Sequence, residues 1–286
     1  MSSAEAEATD ISPAEYLLKV GKAGEGPHDI ATAALMLAAL DHPEKKLAPY
    51  LAHLADLSQA ARAEAAFAND AESAAHALGQ VFTARFGYDS DRMAYDEPDS
   101  ADLMVVIERR RGLPVALGIL YMHAARAAGM EGHGLHAPGD FLLKLAVKGS
   151  EAYVDPFAGG AVVDRERVVP HLGIPMLAAE PGVPEVPGAY EPVSDIDVLL
   201  RLQNNIRSRA LRSHDSARAI EIGRRMAQLA PYRPPLWLDL AHLHESAGAL
   251  SAARTAYEHC LKASRAGDMY HNEATLALHA LRRRIN

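Results

Sequence analysis

A thiol is a strong nucleophile and a good metal ligand, and this chain contains a single cysteine, Cys260. It lies between Tyr257 and Leu261 on a predicted helix, on the stripe that would face inward. A cysteine in that setting most simply fills space as a small core residue. A lone cysteine also cannot form an intramolecular disulfide, which favours a cytoplasmic location.

Two aspartates lie beside short extended runs, where a carboxylate could either shape a turn or take part in acid–base chemistry. Asp140 follows Gly139, and Asp155 precedes Pro156. Aspartate is common at such positions because its side chain accepts hydrogen bonds from the next backbone amides. A catalytic carboxylate pair would instead need burial that separates the two pKa values. We favour the turn-forming role for Asp155.

The histidines give little indication of a metal site. His133 and His136 are three residues apart on a presumed strand, so their side chains would point to opposite faces. No cysteine or carboxylate stands at ligand spacing from them. We therefore expect neither a metal nor another cofactor.

The acidic residues 1–11 are predicted to be a disordered tail. The segment from Ser12 to about Gly87 is rich in alanine, and the spacing of its apolar residues predicts helices. Asp70 is a suitable N-cap for a helix that runs to about Arg85. Apolar residues recur every three or four positions at Ile30, Ala34, Leu37 and Leu40, and then at Leu47, Leu51, Leu54 and Leu57.

A central buried helix and a small sheet are predicted next. Pro114 suits a first helical position and Gly129 a left-handed stop, and only His123 and Arg126 between them are strongly polar. Short runs at 141–147, 152–157 and 161–163 are typical of strands, and Lys148-Gly149-Ser150-Glu151 between the first two predicts a hairpin. Residues 173–193 contain five prolines, a density typical of a linker.

Residues 194–286 are predicted to be helical and to contain a repeat. Leu240, Ala253, Tyr257 and Cys260 follow Trp237 at the spacing of a tetratricopeptide unit, which consists of two antiparallel helices. Thirty-four residues earlier the pattern holds in part. The sequence therefore predicts two such helical hairpins and a final helix from about Asn272.

Several motifs occur in an order that resembles a known family. They are AYDEPDSADLMVVIE, ERRRGLPVALGILY, APGDFLLK, YVDPF and LLRLQNNI. Together they resemble the bacterial SirB-type transglutaminase-like/tetratricopeptide family over nearly the whole chain. The resemblance implies an α+β fold, mostly α. Residues 12–172 would form a helical N-terminal lobe and a modified transglutaminase-like core with a small antiparallel sheet, followed by the C-terminal hairpins.

The same resemblance implies that the catalytic positions are degenerate. The nucleophile position falls at Ala116, the histidine position falls at Asp140, and the aspartate position falls at Asp155. A carboxylate at Asp140 cannot replace an imidazole as the partner of Asp155, because two ionised carboxylates repel each other. Two of the three roles are therefore empty, and we expect the protein not to be an enzyme.

Residues 195–286 carry a net charge of about +5 and residues 1–194 about −13, which favours either mutual attraction or an acidic partner. In tetratricopeptide units the first helix of each pair lines the groove, and arginine and asparagine there suit recognition of an extended peptide. The expected groove residues are Arg201, Asn204, Asn205, Ser208, Arg212, Leu238 and His242.

The leading interpretation is a non-catalytic scaffold or regulator that binds another protein through its C-terminal repeats. The alternative is a hydrolase of altered chemistry that uses Asp140 and Asp155. Nucleic-acid binding through Arg282, Arg283 and Arg284 is disfavoured by the acidic chain and the lack of a binding motif. The longest nearly apolar stretch, 30–40, is too short to span a bilayer.

Overall fold

The computed structural model describes residues 11–90, 97–136, 141–164 and 191–285. The chain divides into two compact units, one of Met1–Tyr16 and Gly26–Leu199 and one of Leu17–Glu25 and Leu200–Asn286. Asp140, residues 1–10 of the predicted tail and residues 173–190 of the predicted linker lie outside the described residues.

The helices of the first unit begin at the capping residues that the sequence offers. Asp70 accepts a hydrogen bond from the amide of Ser73 at 2.8 Å, and Asp29 accepts one from Thr32 at 3.1 Å. The predicted cap at Asp70 is therefore confirmed, although a π-helical turn at Val81–Arg85 replaces the end of the predicted helix. The helices are α1 (Pro13–Ala23), which continues into the second unit, α2 (Ile30–Ala39), α3 (Ala48–Ala65), α4 (Ala71–Gln80), α5 (Leu103–Arg109) and α6 (Pro114–Ala127).

Helix α6 is the buried centre of the first unit, as its apolar sequence predicts. Gly118 lies under the ring of Phe141, and a Cβ atom at this glycine would come within 2.2 Å of the ring. Phe141 begins the second strand of the sheet. The helix and the sheet therefore pack at a distance that only glycine permits.

The sheet has four antiparallel strands in the order β1 (Glu131–His136), β2 (Phe141–Val147), β3 (Ser150–Asp155) and β4 (Ala161–Val163). Lys148 and Gly149, with φ of 51° and 81°, form the turn of the predicted hairpin, which is confirmed. Strand β3 ends at Asp155 and not at Phe157, because Pro156 opens a 3-10 turn, Pro156–Ala158.

The second unit contains two helical hairpins and a last helix, in the order that the sequence predicts. Its helices are α7 (Asp195–Arg212), which begins in the first unit, α8 (Ser216–Leu229), α9 (Pro234–Ser246), α10 (Leu250–Ala263) and α11 (Met269–Ile285). Part of α1 belongs here as well. A Cβ atom at Gly21 would lie 2.2 Å from the carbonyl oxygen of Gln228, so the two helices contact each other through bare backbone.

Candidate functional site

The first turn of α6, where the resemblance places the nucleophile, has no reactive side chain. Ala116 is 0% exposed, and its neighbours Val115 and Leu117 are also buried. A helix N-terminus can lower the pKa of a nearby thiol and so activate it as a nucleophile. The methyl group of alanine does not ionise and cannot act as a nucleophile. This turn therefore serves packing.

The carboxylate of Asp155 shapes the turn that follows β3. Its Oδ1 accepts hydrogen bonds from the amides of Phe157 at 2.8 Å and Ala158 at 3.1 Å. This is the capping geometry expected of an aspartate before a proline turn, and it orients one carboxylate oxygen toward the chain's own backbone. Asp140, the other member of the hypothetical carboxylate pair, lies outside the described residues.

Tyr121 places a phenol beside this turn. Its ring stacks on that of Phe82 with the centroids 3.8 Å apart. Its hydroxyl is buried and has no hydrogen-bond partner among the described residues. Burial raises the pKa of Tyr121, and the nearby charge of Asp155 raises it further, so the phenol is neutral.

Two of the arginines before α6 contact side chains of other segments of the first unit. Arg109 pairs with Glu97 at 2.8 Å. Arg110 reaches His53 Nε2 at 2.8 Å and donates to the Tyr88 hydroxyl at 3.1 Å. Burial and then the charge of Arg110 lower the pKa of His53 to about 4. Arg109 and Arg110 therefore stabilise the helical lobe.

A cavity of about 680 Å³ opens between α2, α3 and α6, and three polar side chains meet on its wall. Ser58 Oγ lies 2.9 Å from His123 Nε2, and His123 Nδ1 lies 3.8 Å from Asp29 Oδ1. Burial raises the pKa of Asp29, but the interaction with His123 and the amide of Thr32 outweigh it, so the pKa lies below its ordinary value. Asp29 is consequently ionised at neutral pH.

The order serine, histidine, aspartate is that of a serine hydrolase, but two features oppose catalysis. Ser58 lies in the middle of α3, so the amides around it are used in helical hydrogen bonds and cannot bind an oxyanion. His123 Nε2 is also 3.2 Å from the carbonyl oxygen of Leu54, so this ring nitrogen lies between two oxygens and does not face Ser58 alone.

Two arginines at the cavity have different uses. Arg126 forms a two-pronged ion pair with the buried Asp195, with nitrogen–oxygen distances of 2.8 and 2.7 Å. Arg62 donates its Nε to the carbonyl oxygen of Ala127 at 2.9 Å. Within the described ranges, no partner is recorded for its two terminal amino groups. Arg62 thus keeps a guanidinium edge available.

Comparison with known proteins decides the family. Residues 48–204 match the model of the transglutaminase-like superfamily, which is more than half of the chain. The chain belongs to this superfamily. A UPF0162 protein of Xylella fastidiosa strain 9a5c is 30% identical over 182 residues, covering 62% of this chain and 63% of the relative.

A second UPF0162 protein, from Vibrio cholerae serotype O1, is 30% identical over 135 residues, covering 47% of this chain and 50% of the relative. The chain thus spans less than two thirds of the length of the curated relatives that it matches. No solved structure matches the chain.

In this transglutaminase-like protein the predicted groove residues lie in different environments. Asn204, Arg212 and His242 are exposed on α7 and α9. Leu238 was expected to line the groove, but its side chain is buried in the core of the hairpins. Three more of the predicted groove residues, Arg201, Asn205 and Ser208, are half-buried on α7. The side-chain amide of Asn205 donates to the carbonyl oxygen of Arg201 at 2.9 Å.

Cys260 occupies the core position that the sequence predicts for it. It is 0% exposed and packs with Tyr257 in the hairpin core. Burial, and then the charge of Glu273, raise the pKa of Cys260 to about 11. The thiol is therefore protonated at neutral pH and is a poor nucleophile.

Sequence reasoning missed the cavity, because Asp29, Ser58 and His123 come from three distant helices. The available signal was that His123 and Arg126 are the polar residues of an otherwise apolar helix.

Among the described residues, no group of three or more histidine, cysteine, aspartate or glutamate side chains could hold a metal ion. Within the same ranges, every helix is too short or too polar to cross a membrane.

Proposed function

We propose that this transglutaminase-like protein is of the SirB type, has no catalytic activity and acts in the cytoplasm as a scaffold or regulator that binds another protein. The observation that carries the proposal is Ala116, a fully buried methyl group at the position where the superfamily resemblance puts the nucleophile. The engagement of Asp155 with two backbone amides supports it, because a capping carboxylate stabilises a turn without doing chemistry.

The partner contact is assigned to the C-terminal hairpins, which we interpret as tetratricopeptide-like. Residues 195–286 carry about five more positive than negative charges in a chain whose net charge is −8. Arg212 and Asn204 are exposed on α7, and His242 is exposed on α9. A guanidinium group and side-chain amides suit the carboxylates and backbone of an extended acidic segment.

The alternative, a hydrolase that uses Asp140 and Asp155, requires Asp155 to exchange protons with a substrate. Its Oδ1 already accepts hydrogen bonds from two backbone amides, so this oxygen is engaged in the turn that follows β3. We therefore place this alternative second.

The test is partner recovery from cell extract with the wild-type protein, Arg212→Ala and the matched control Arg224→Ala, which is exposed on α8. We expect Arg212→Ala to recover less of one specific partner, with the melting temperature nearly unchanged. Raising the salt from about 0.05 to 0.5 M should also weaken recovery, because the contact is partly electrostatic.

Two results would refute the assignment. One is equal recovery by the wild type and by Arg212→Ala at both salt concentrations. The other is a large fall in the melting temperature of Arg212→Ala with recovery per folded molecule unchanged, which would mean that Arg212 stabilises the fold.

A further inference from the structure

We propose that the cavity between α2, α3 and α6 binds a small molecule that carries one carboxylate and a short apolar body. The site lies within the first unit, and the proposal is independent of the partner contact assigned to the C-terminal hairpins. It rests on the chemistry of the cavity wall, in which the Arg62 guanidinium, the polar side chains of Ser58 and His123 and an apolar lining face the same space.

Arg62 supplies the cationic end of this carboxylate cavity. The hydrogen bond from its Nε to the carbonyl oxygen of Ala127 fixes the plane of the guanidinium. No partner is recorded for its two terminal amino groups among the described residues, and these form the fork that matches the two oxygens of a carboxylate. An anchored guanidinium also loses less freedom on binding than a mobile one, which favours affinity.

The rest of the wall selects the size and charge of the ligand. Ile30, Ala55 and Ala127 give the cavity an apolar side that suits a short hydrocarbon body. Asp29 is ionised on the same wall, so a second negative charge on the ligand would be repelled. A single carboxylate is therefore favoured over a phosphate.

Ser58 and His123 complete the site as binding groups. The Ser58 hydroxyl is only 5% exposed and is held 2.9 Å from His123 Nε2. A hydroxyl on the cavity wall can donate a hydrogen bond to a polar group of the ligand or accept one from it. We assign this pair to binding and not to covalent chemistry, because the amides around Ser58 are used in helical hydrogen bonds and cannot bind an oxyanion.

The test is a ligand-observed NMR and calorimetric titration of the full chain. The probes are the monocarboxylates from acetate to hexanoate, the corresponding neutral amides, and inorganic phosphate. We expect saturable binding of at least one carboxylate, no binding of its amide, and weaker binding of phosphate. Arg62→Gln should weaken carboxylate binding at least about tenfold, which is the usual effect of a lost charge-assisted contact.

Two further variants keep the test specific. Arg62→Lys retains the charge but not the fork and should give an intermediate loss, whereas the exposed control Arg224→Gln should bind as the wild type does. The proposal is overturned if no carboxylate binds saturably, if an amide binds as well as its acid, or if correctly folded Arg62→Gln retains full affinity. Phosphate binding tighter than every carboxylate would overturn the assignment of a single-carboxylate ligand.

Discussion

Burial sets the protonation of both Cys260 and His53. The thiol has a pKa of about 11 and stays protonated, whereas the imidazole has a pKa of about 4 and stays neutral. In each case the low-polarity surroundings disfavour the charged form, and for His53 the Arg110 guanidinium adds to the effect. Burial therefore keeps the Cys260 thiol in its protonated form, which is a poor nucleophile, and the His53 imidazole in its neutral form.

Cys260→Ala is predicted to leave partner binding intact and to cost about 1 kcal/mol of unfolding free energy, because only one buried sulfur atom is removed. In the wild type, iodoacetamide should alkylate Cys260 far more slowly in the folded protein than in denaturant. Partner recovery and alkylation rates check these two expectations. Loss of partner binding by a stably folded Cys260→Ala protein would contradict the structural role.

His53 predicts a dependence of stability on pH. Its pKa is about 4 in the folded protein and about 6.5 in an unfolded chain, so the unfolded state binds the extra proton between these values. The stabilising contribution is full above pH 6.5, falls as the pH drops toward 4, and amounts to about 3 kcal/mol in total. The measurement is the unfolding free energy from denaturant titrations between pH 4 and 8. We expect His53→Gln to remove the fall in unfolding free energy below pH 6.5. The control His76→Gln, at an exposed position, should leave that pH dependence unchanged.

Helices and the hairpin were predictable because their signals are local. Asp70, Pro114 and the Lys148-Gly149 turn each act through neighbours in sequence, and each is found where the sequence predicts it. The packing of residues 17–25 against α8 and the cavity were not predictable. They depend on contacts such as Gly21 with Gln228, and no spacing in the sequence encodes such a contact.

The candidate site was predictable in part. Asp155 caps a turn, as turn chemistry indicated, and Ala116 is buried in α6. Leu238 was predicted to line the groove and instead packs in the core. The spacing of a helical repeat indicates only approximately which residues face the groove. The contacts of Arg109 with Glu97 and of Arg110 with Tyr88 were not predictable, because they join segments whose arrangement the sequence does not specify.

The ion pair between Arg126 at the end of α6 and Asp195 at the start of α7 is predicted to contribute more to the unfolding free energy than exposed ion pairs do. Asp195 is 4% exposed and also accepts the amide of His28 at 2.8 Å. Asp195→Asn should lower the unfolding free energy by about 3 kcal/mol, since Arg126 would lose its partner in a partly buried site. Glu258→Gln, in the exposed pair with Arg254, should cost less than about 0.5 kcal/mol. Similar losses for both variants in denaturant unfolding would contradict this ranking.

Across the whole chain, charge and chemistry are distributed unequally. Residues 1–194 contain the transglutaminase-like positions and about −13 of charge, whereas residues 195–286 contain the helical hairpins and about +5. The proposed non-catalytic role depends on whether Asp155, where the resemblance places the aspartate of the triad, stabilises structure or performs chemistry.

The most direct measurement is the melting temperature of Asp155→Asn together with partner recovery by the same variant. The change keeps the shape of the side chain but removes the charge that strengthens its bonds to Phe157 and Ala158. We predict a melting temperature lower by about 2–4 °C, as expected for a loss of about 1 kcal/mol, and unchanged recovery per folded molecule. An unchanged melting temperature combined with loss of a measurable turnover would contradict the account and support the carboxylate hydrolase.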